Sequence, residues 1–144
     1  MKGFTAIEIL LVIAIAVVLF ALVFPLGINF YRDWQLQNNT QQILQALRKA
    51  QSRAMASELD SSFGVYIQES SYVLFKGDSF ENRDNQFDEI FNLPLLIVVD
   101  SLPKEVVFSK IDGKPQSARE IIINSDGDSE TIKINEAGRI NIEL

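Results

Sequence analysis

Gly3 to Ile28 reads GFTAIEILLVIAIAVVLFALVFPLGI, and its only charged residue is Glu8. From Ile9 to Asn29 there is no charge at all, close to the ~20 apolar residues that a membrane-spanning helix needs. A buried core helix is usually shorter and has more polar flanks. A secretory signal peptide has an apolar stretch of about 7–15 residues and then a small-residue cleavage site. Ala21 falls near such a site, but Phe24-Pro25-Leu26 makes a poor exit from it. A plain single-pass anchor fits the length and leaves Glu8 unexplained. A carboxylate in the bilayer costs roughly 2.5–3.5 kcal/mol at a helix centre and less near an interface, and Glu is too short to snorkel far. An anchor under no other demand would carry Leu there.

The 144 residues give room for one domain. Of the 13 basic residues 12 follow Tyr31, and so do 18 of the 19 acidic ones, so the net charge of −6 belongs to the polar part. That balance argues against nucleic acid as a partner, because affinity for phosphate backbone comes from Lys and Arg. There is no Cys, which removes disulfides, thiolate nucleophiles and Cys-based metal sites. There is no His, which removes Ser-His-Asp triads and His-ligated metals. No catalytic, cofactor-binding or metal-binding residue is expected, and the chain reads as a non-enzyme.

Beyond the apolar run, residues 29–59 keep a helical period. Leu36, Ile43, Leu47, Ala50 and Ala54 share one face, with Gln35, Gln41, Gln42, Gln45, Arg48, Lys49 and Arg53 pointing away. The Gln-rich face reads as solvated, with subunit packing as its alternative use. Residues 60–144 change to a period of two. Phe63, Val65 and Ile67 alternate, then Tyr72, Leu74 and Lys76, with Glu69-Ser70-Ser71 as the hairpin turn. Phe80 to Leu93 reads as an irregular loop. Leu95–Val99 and Glu105–Ser109 are strand candidates, and Asp112-Gly113-Lys114-Pro115 marks a turn. Glu120–Ile123, Thr131–Ile134 and Arg139–Ile142 complete a meander. The fold class is α+β: a long helix, its first half membrane-spanning and its second amphipathic, packed on an antiparallel sheet.

The string Lys2-Gly3-Phe4-Thr5-Ala6-Ile7-Glu8, followed by the apolar helix, resembles the start of the type IV prepilins and type II secretion pseudopilins. That resemblance covers about the first 28 residues. It implies a leader of residues 1–3, cleavage between Gly3 and Phe4 by a prepilin peptidase facing the cytoplasm, and N-methylation of Phe4. The chemistry agrees: glycine has no Cβ to crowd a protease site, and Lys2 lies on the side that positive charge keeps in the cytoplasm. The leader is shorter than the family's usual one and carries a single basic residue. The resemblance also implies that Glu8 meets the N-terminus of a neighbouring subunit, since neither charge is tolerable alone in a dry helix bundle. Pro25, with Gly27, is the second mark. A proline removes a helix hydrogen bond, so a kink or local unwinding is expected within residues 4–28. More loosely, Arg53-Ala54-Met55-Ala56, the hairpin from Phe63 to Gly77 and Asn135-Glu136-Ala137-Gly138-Arg139 resemble the GspH/FimT group of minor pilins and pseudopilins.

The expected function is that of a minor pilin or pseudopilin. It would be held in the bacterial inner membrane with its head outside the cytoplasm, and then built into a type IV pilus-like or type II secretion filament with other subunits. A competence pilus that takes up DNA is one alternative; a single-pass membrane protein unrelated to pili is the other. Gly138-Arg139 resembles the glycine-arginine motif of DNA-binding FimT-like pilins, but Asn141 stands where a second arginine belongs, leaving Arg139 and Lys133 as the best basic patch. Asp126, Asp128 and Glu130 offer three carboxylates for Ca²⁺, and a polar hairpin turn explains them more simply. Tyr31 and Trp34 sit where aromatic rings favour a membrane interface. Asp88 and Glu89 fall in a polar loop with nothing to mark them as catalytic.

Overall fold

The computed structural model describes residues 3–101 and 104–143, with the side chains of residues 22–29 outside that set. Helix α1 runs from Ala6 to Met55. The chain groups into two compact units, Met1–Trp34 and Gln35–Leu144. In the first, the described side chains from Gly3 to Ala21 are all exposed. Pro25 lies inside α1, so it neither ends nor unwinds the helix. Among the described residues no helix is long and apolar enough to cross a membrane. The uncharged run continues past Ala21 into positions whose side chains are not described.

In the second unit the expected stripe of Leu36, Ile43, Leu47, Ala50 and Ala54 is buried, joined by Asn39, Thr40, Leu44 and Ala46. The helix stops at Met55, four residues before Leu59, because Ser57 takes a left-handed φ of 51°. The carbonyl of Ala54 accepts from the N–H groups of both Ser57 and Ile111, at 3.0 Å each, which satisfies one acceptor that the helix end would otherwise leave open.

Among the described residues eight strands follow: β1 (Phe63–Ile67), β2 (Ser71–Lys76), β3 (Glu89–Asn92), β4 (Val98–Ser101), β5 (Glu105–Phe108), β6 (Arg119–Ser125), β7 (Asp128–Ile134) and β8 (Ile140–Glu143). They form two four-stranded sheets, ordered β3-β2-β1-β5 and β4-β6-β7-β8, every pairing antiparallel. The inward residues of both, among them Phe63, Val65, Leu74, Phe108, Ile121, Ile123, Ile132 and Ile134, share one core with the α1 stripe.

Two expectations need correction. The loop expected over Phe80–Leu93 contains β3, a four-residue edge strand registered on β2 from Ser71↔Asn92 to Leu74↔Glu89. The strand expected at Leu95–Val99 begins only at Val98. Pro94 to Ile97 is a turn closed by the Ile97 N–H donating to the Pro94 carbonyl at 3.0 Å, which leaves Leu95 fully exposed. Proline has no N–H for a ladder, so pairing starts beyond it.

The outer face of the first sheet is covered by residues 77–88. Phe80 stacks on Tyr66 with ring centroids 3.8 Å apart, and the Arg83 guanidinium lies 3.7 Å from the Phe80 centroid on the same residue excursion. Beneath them the Phe75 ring occupies the space above Gly64, where a Cβ would come within 2.6 Å of it.

Candidate processing and assembly site

Gly3, Phe4 and Thr5 precede the helix in non-helical backbone. Apart from its chain neighbours, no atom of the described residues lies within 4 Å of where a Gly3 Cβ would stand, and Phe4 is 80% exposed. The Gly3–Phe4 bond is thus an open, accessible peptide. Thr5 then caps α1: the Glu8 N–H points at its Oγ1 at 3.4 Å and its carbonyl at 3.1 Å. Thr5-Ala6-Ile7-Glu8 has the spacing of a capping box, a hydroxyl followed three residues later by Glu. That spacing was visible in the sequence and was missed there. It gives Glu8 a second, local effect, since an acidic residue in the first turn complements the helix dipole. Glu8 is solvent-exposed here. The side chain of Pro25 falls outside the described residues, and Met1 and Lys2 of the expected leader do too.

The Gln face of the second half is exposed at Gln41, Gln42, Gln45 and Arg48. Lys49 and Arg53 instead reach across to the start of β3, where Glu89 accepts from Lys49 Nζ at 2.6 Å and lies 2.8 Å from Arg53 Nη2. The Lys49 hydrogen bond is the main cause that holds the Glu89 carboxyl below its ordinary pKa. Asp88 takes Arg83 Nε at 2.8 Å. Glu89 therefore ties the edge strand to α1 and Asp88 braces the loop before it, where the sequence had shown only polarity.

Gln51 plays a similar part at the helix end. Its Nε2 donates to the carbonyls of Gly113 at 2.9 Å and Gly138 at 2.7 Å, bridging the turn after β5 and the turn before β8. Both glycines have positive φ, 61° and 81°, which only glycine adopts freely. A Cβ on Gly138 would sit 2.7 Å from the Gln51 amide nitrogen.

The DNA and Ca²⁺ candidates resolve differently. Lys133 lies between Glu143 at 2.7 Å and Glu120 at 3.4 Å, and these partners raise its pKa, Glu143 the more. It is thus already neutralised on both sides, and Arg139 precedes β8 on an exposed turn with Asn141 two residues on. Asp126 and Gly127 form a two-residue hairpin turn closed by the Ser125↔Asp128 pair, with φ of 43° and 112°, the conformation that Asp-Gly favours. Asp128 is exposed in β7 while Glu130 is buried there. Among the described residues no group of three or more acidic side chains could hold a metal ion. Tyr31 and Trp34 are both about half exposed, with ring centroids 6.4 Å apart.

A long helix whose second half is packed on two antiparallel sheets makes a pseudopilin-like fold. A solved structure that shares it is the minor pseudopilin EpsH from the type 2 secretion system of Vibrio cholerae. The match has a TM-score of 0.59 and 13% identity, over 76% of this chain and 97% of that one. No protein-family model matches the chain, and no curated sequence matches it.

Proposed function

We propose that this chain is a minor pilin or pseudopilin, a structural filament subunit and not an enzyme. Before assembly it is held as a single-pass protein in the inner membrane with its head outside the cytoplasm. Prepilin peptidase cuts between Gly3 and Phe4, and Phe4 is N-methylated. Subunits then pack by their apolar helices, where Glu8 meets the new N-terminus of a neighbour. The observation that carries this reading is the coincidence of the open Gly3–Phe4 junction, the apolar exposed start of α1 and the pseudopilin-like fold of the rest. The open junction supports a protease substrate, and the exposed apolar helix supports an environment of lipid or other helices. The paired state of Lys133 favours a type II secretion or pilus-shaft role over DNA uptake.

Co-expression of the full chain with a prepilin peptidase tests it. Intact-mass and N-terminal analysis should give a chain that begins at methylated Phe4, and Gly3→Val should block the cut because a branched side chain crowds the scissile backbone. A cut near Ala21, or an intact chain, would overturn the proposal.

A further inference from the structure

Beside the edge strand of the first sheet, α1 and the sheet leave a slot. Gln42, Ala46 and Lys49 stand at i, i+4 and i+7, so they share one row of the helix, with Gln45 next to it. Across from that row the register pairs Tyr72 of β2 with Phe91 of β3, and their rings stack at 4.9 Å with 12° between the planes. Glu89 accepts from Lys49 Nζ at 2.6 Å, which ties α1 to the start of β3. Between the helix row and the ring pair lies a half-open space of about 360 Å³. That is near the small end of the ~300–1,000 Å³ typical of ligand sites.

The polar groups that line it are neutral and unused. Tyr72 is only 2% exposed, yet its hydroxyl has no hydrogen-bond partner among the described residues, and burial is the sole cause that raises its pKa. A buried hydroxyl without a partner is costly and calls for an explanation. The carboxamides of Gln42 and Gln45 make no hydrogen bond among the described residues either. Each of these three groups can both donate and accept. Lys49 is the charged residue of the lining, and Glu89 already neutralises it. An anion or a cation would therefore find no counter-charge. The lining instead suits a small uncharged ring with C–H bonds on its faces and hydroxyls around its edge. We propose that this slot binds a neutral pyranose, one sugar ring of a glycan. Its C–H face lies against Phe91, whose ring face is electron-rich, and its hydroxyls bond the Tyr72 hydroxyl, Gln42 and Gln45. An extended peptide is the competing occupant, because β3 is an edge strand. An apolar side chain inserted from such a peptide would leave the Tyr72 hydroxyl unpaired, which favours the sugar. The inference uses the second unit alone and stands apart from the filament reading.

The full chain in phosphatidylcholine nanodiscs, which carry no sugar headgroup, is titrated with the methyl glycosides of glucose, galactose, mannose and N-acetylglucosamine. Ligand-observed NMR reads the binding. At least one of these sugars should bind saturably, and the charged sugars glucuronate and glucosamine should bind severalfold more weakly. Tyr72→Phe keeps the ring and removes the hydroxyl, so affinity should fall roughly two- to tenfold. Gln45→Ala, at an exposed position, should cost a similar factor without disturbing the core. Saturable binding by none of the four glycosides overturns the proposal. So does binding that both Tyr72→Phe and Gln45→Ala leave unchanged. N-acetylphenylalanine amide probes the competing occupant: if it saturates the slot and no glycoside does, the slot takes a peptide side chain and the proposal is wrong. Cleavage at Gly3–Phe4 is measured separately, so none of these results alters the filament reading.

Discussion

Between Ile9 and Phe20 the side chains of α1 are apolar and exposed. Between Leu36 and Ala54 the apolar ones are buried, and Gln37, Gln41, Gln42 and Gln45 face outward. One helix thus carries two kinds of surface, and what separates them is the partner supplied by the rest of the chain. Both sheets close over the second half. In the first, twelve large apolar side chains from Phe4 to Phe20 are more than half exposed, well beyond the few hundred Å² that a soluble monomer leaves in one patch. Helical backbone alone therefore says little about environment; burial by the chain's own fold says much more.

Truncating one leucine in each half gives the sharpest test. Leu47 is fully buried, so Leu47→Ala should destabilise the head by about 2–5 kcal/mol, the usual cost of a core cavity. Leu11→Ala should leave the head's unfolding midpoint unchanged. Denaturant titration of the full chain in detergent, followed by circular dichroism, reads both, and equal losses would abolish the distinction between the halves.

A smaller effect comes from Tyr72, buried under the second half and stacked on Phe91 at 4.9 Å. Desolvation pushes its pKa up to about 12. The unfolded chain ionises near ~10, so the folded state keeps this contribution below that pH and loses it as pH rises toward 12. The loss should approach about 2–3 kcal/mol. Tyr72→Phe should flatten that alkaline limb in thermal melts, and a limb that persists would assign it to another group.

Glu89 should give the smallest effect. Its carboxyl is held below the ordinary range by Lys49 first, then Arg53. Its contribution is therefore complete above the unfolded carboxylate pKa and vanishes as pH falls through the lowered folded value. For a partly exposed pair about 1 kcal/mol or less is expected. Glu89→Gln should remove that part of the acid dependence while leaving melts at neutral pH within about 1 kcal/mol; an unchanged acid limb would show that β3 is held by packing alone.

Much of this architecture was legible because periodicity is local. The α1 stripe, the β1–β2 hairpin and the β6-β7-β8 meander follow from spacing and from turn residues such as Asp126-Gly127. The division into two sheets was hidden, since pairing β1 with β5 and β4 with β6 depends on tertiary packing. Strand β3 was hidden by its length, and the turn at Pro94 by the apolar run that follows it. At the proposed processing segment, Gly3, Phe4 and Glu8 stood out in sequence, whereas the Thr5 cap was readable and overlooked. The hold of Lys49 and Arg53 on Glu89 joins residues about forty positions apart, and no spacing rule encodes that.

The alternation of strands between the sheets bears on timing. From Asn92 to Arg119 the chain leaves the first sheet for β4, returns for β5 and leaves again for β6. During synthesis β4 has no neighbour until β6 emerges some twenty residues later, and β1 waits about forty residues for β5. The first sheet can close once β5 ends at Phe108, whereas the second waits for β6, β7 and β8, and such distant pairing is slow to form. A head made with its last strands missing would present Val98 and Val99 as an unpaired, sticky ribbon. The closing residues, from Arg119 to Glu143, therefore decide when the newly made chain stops exposing that ribbon.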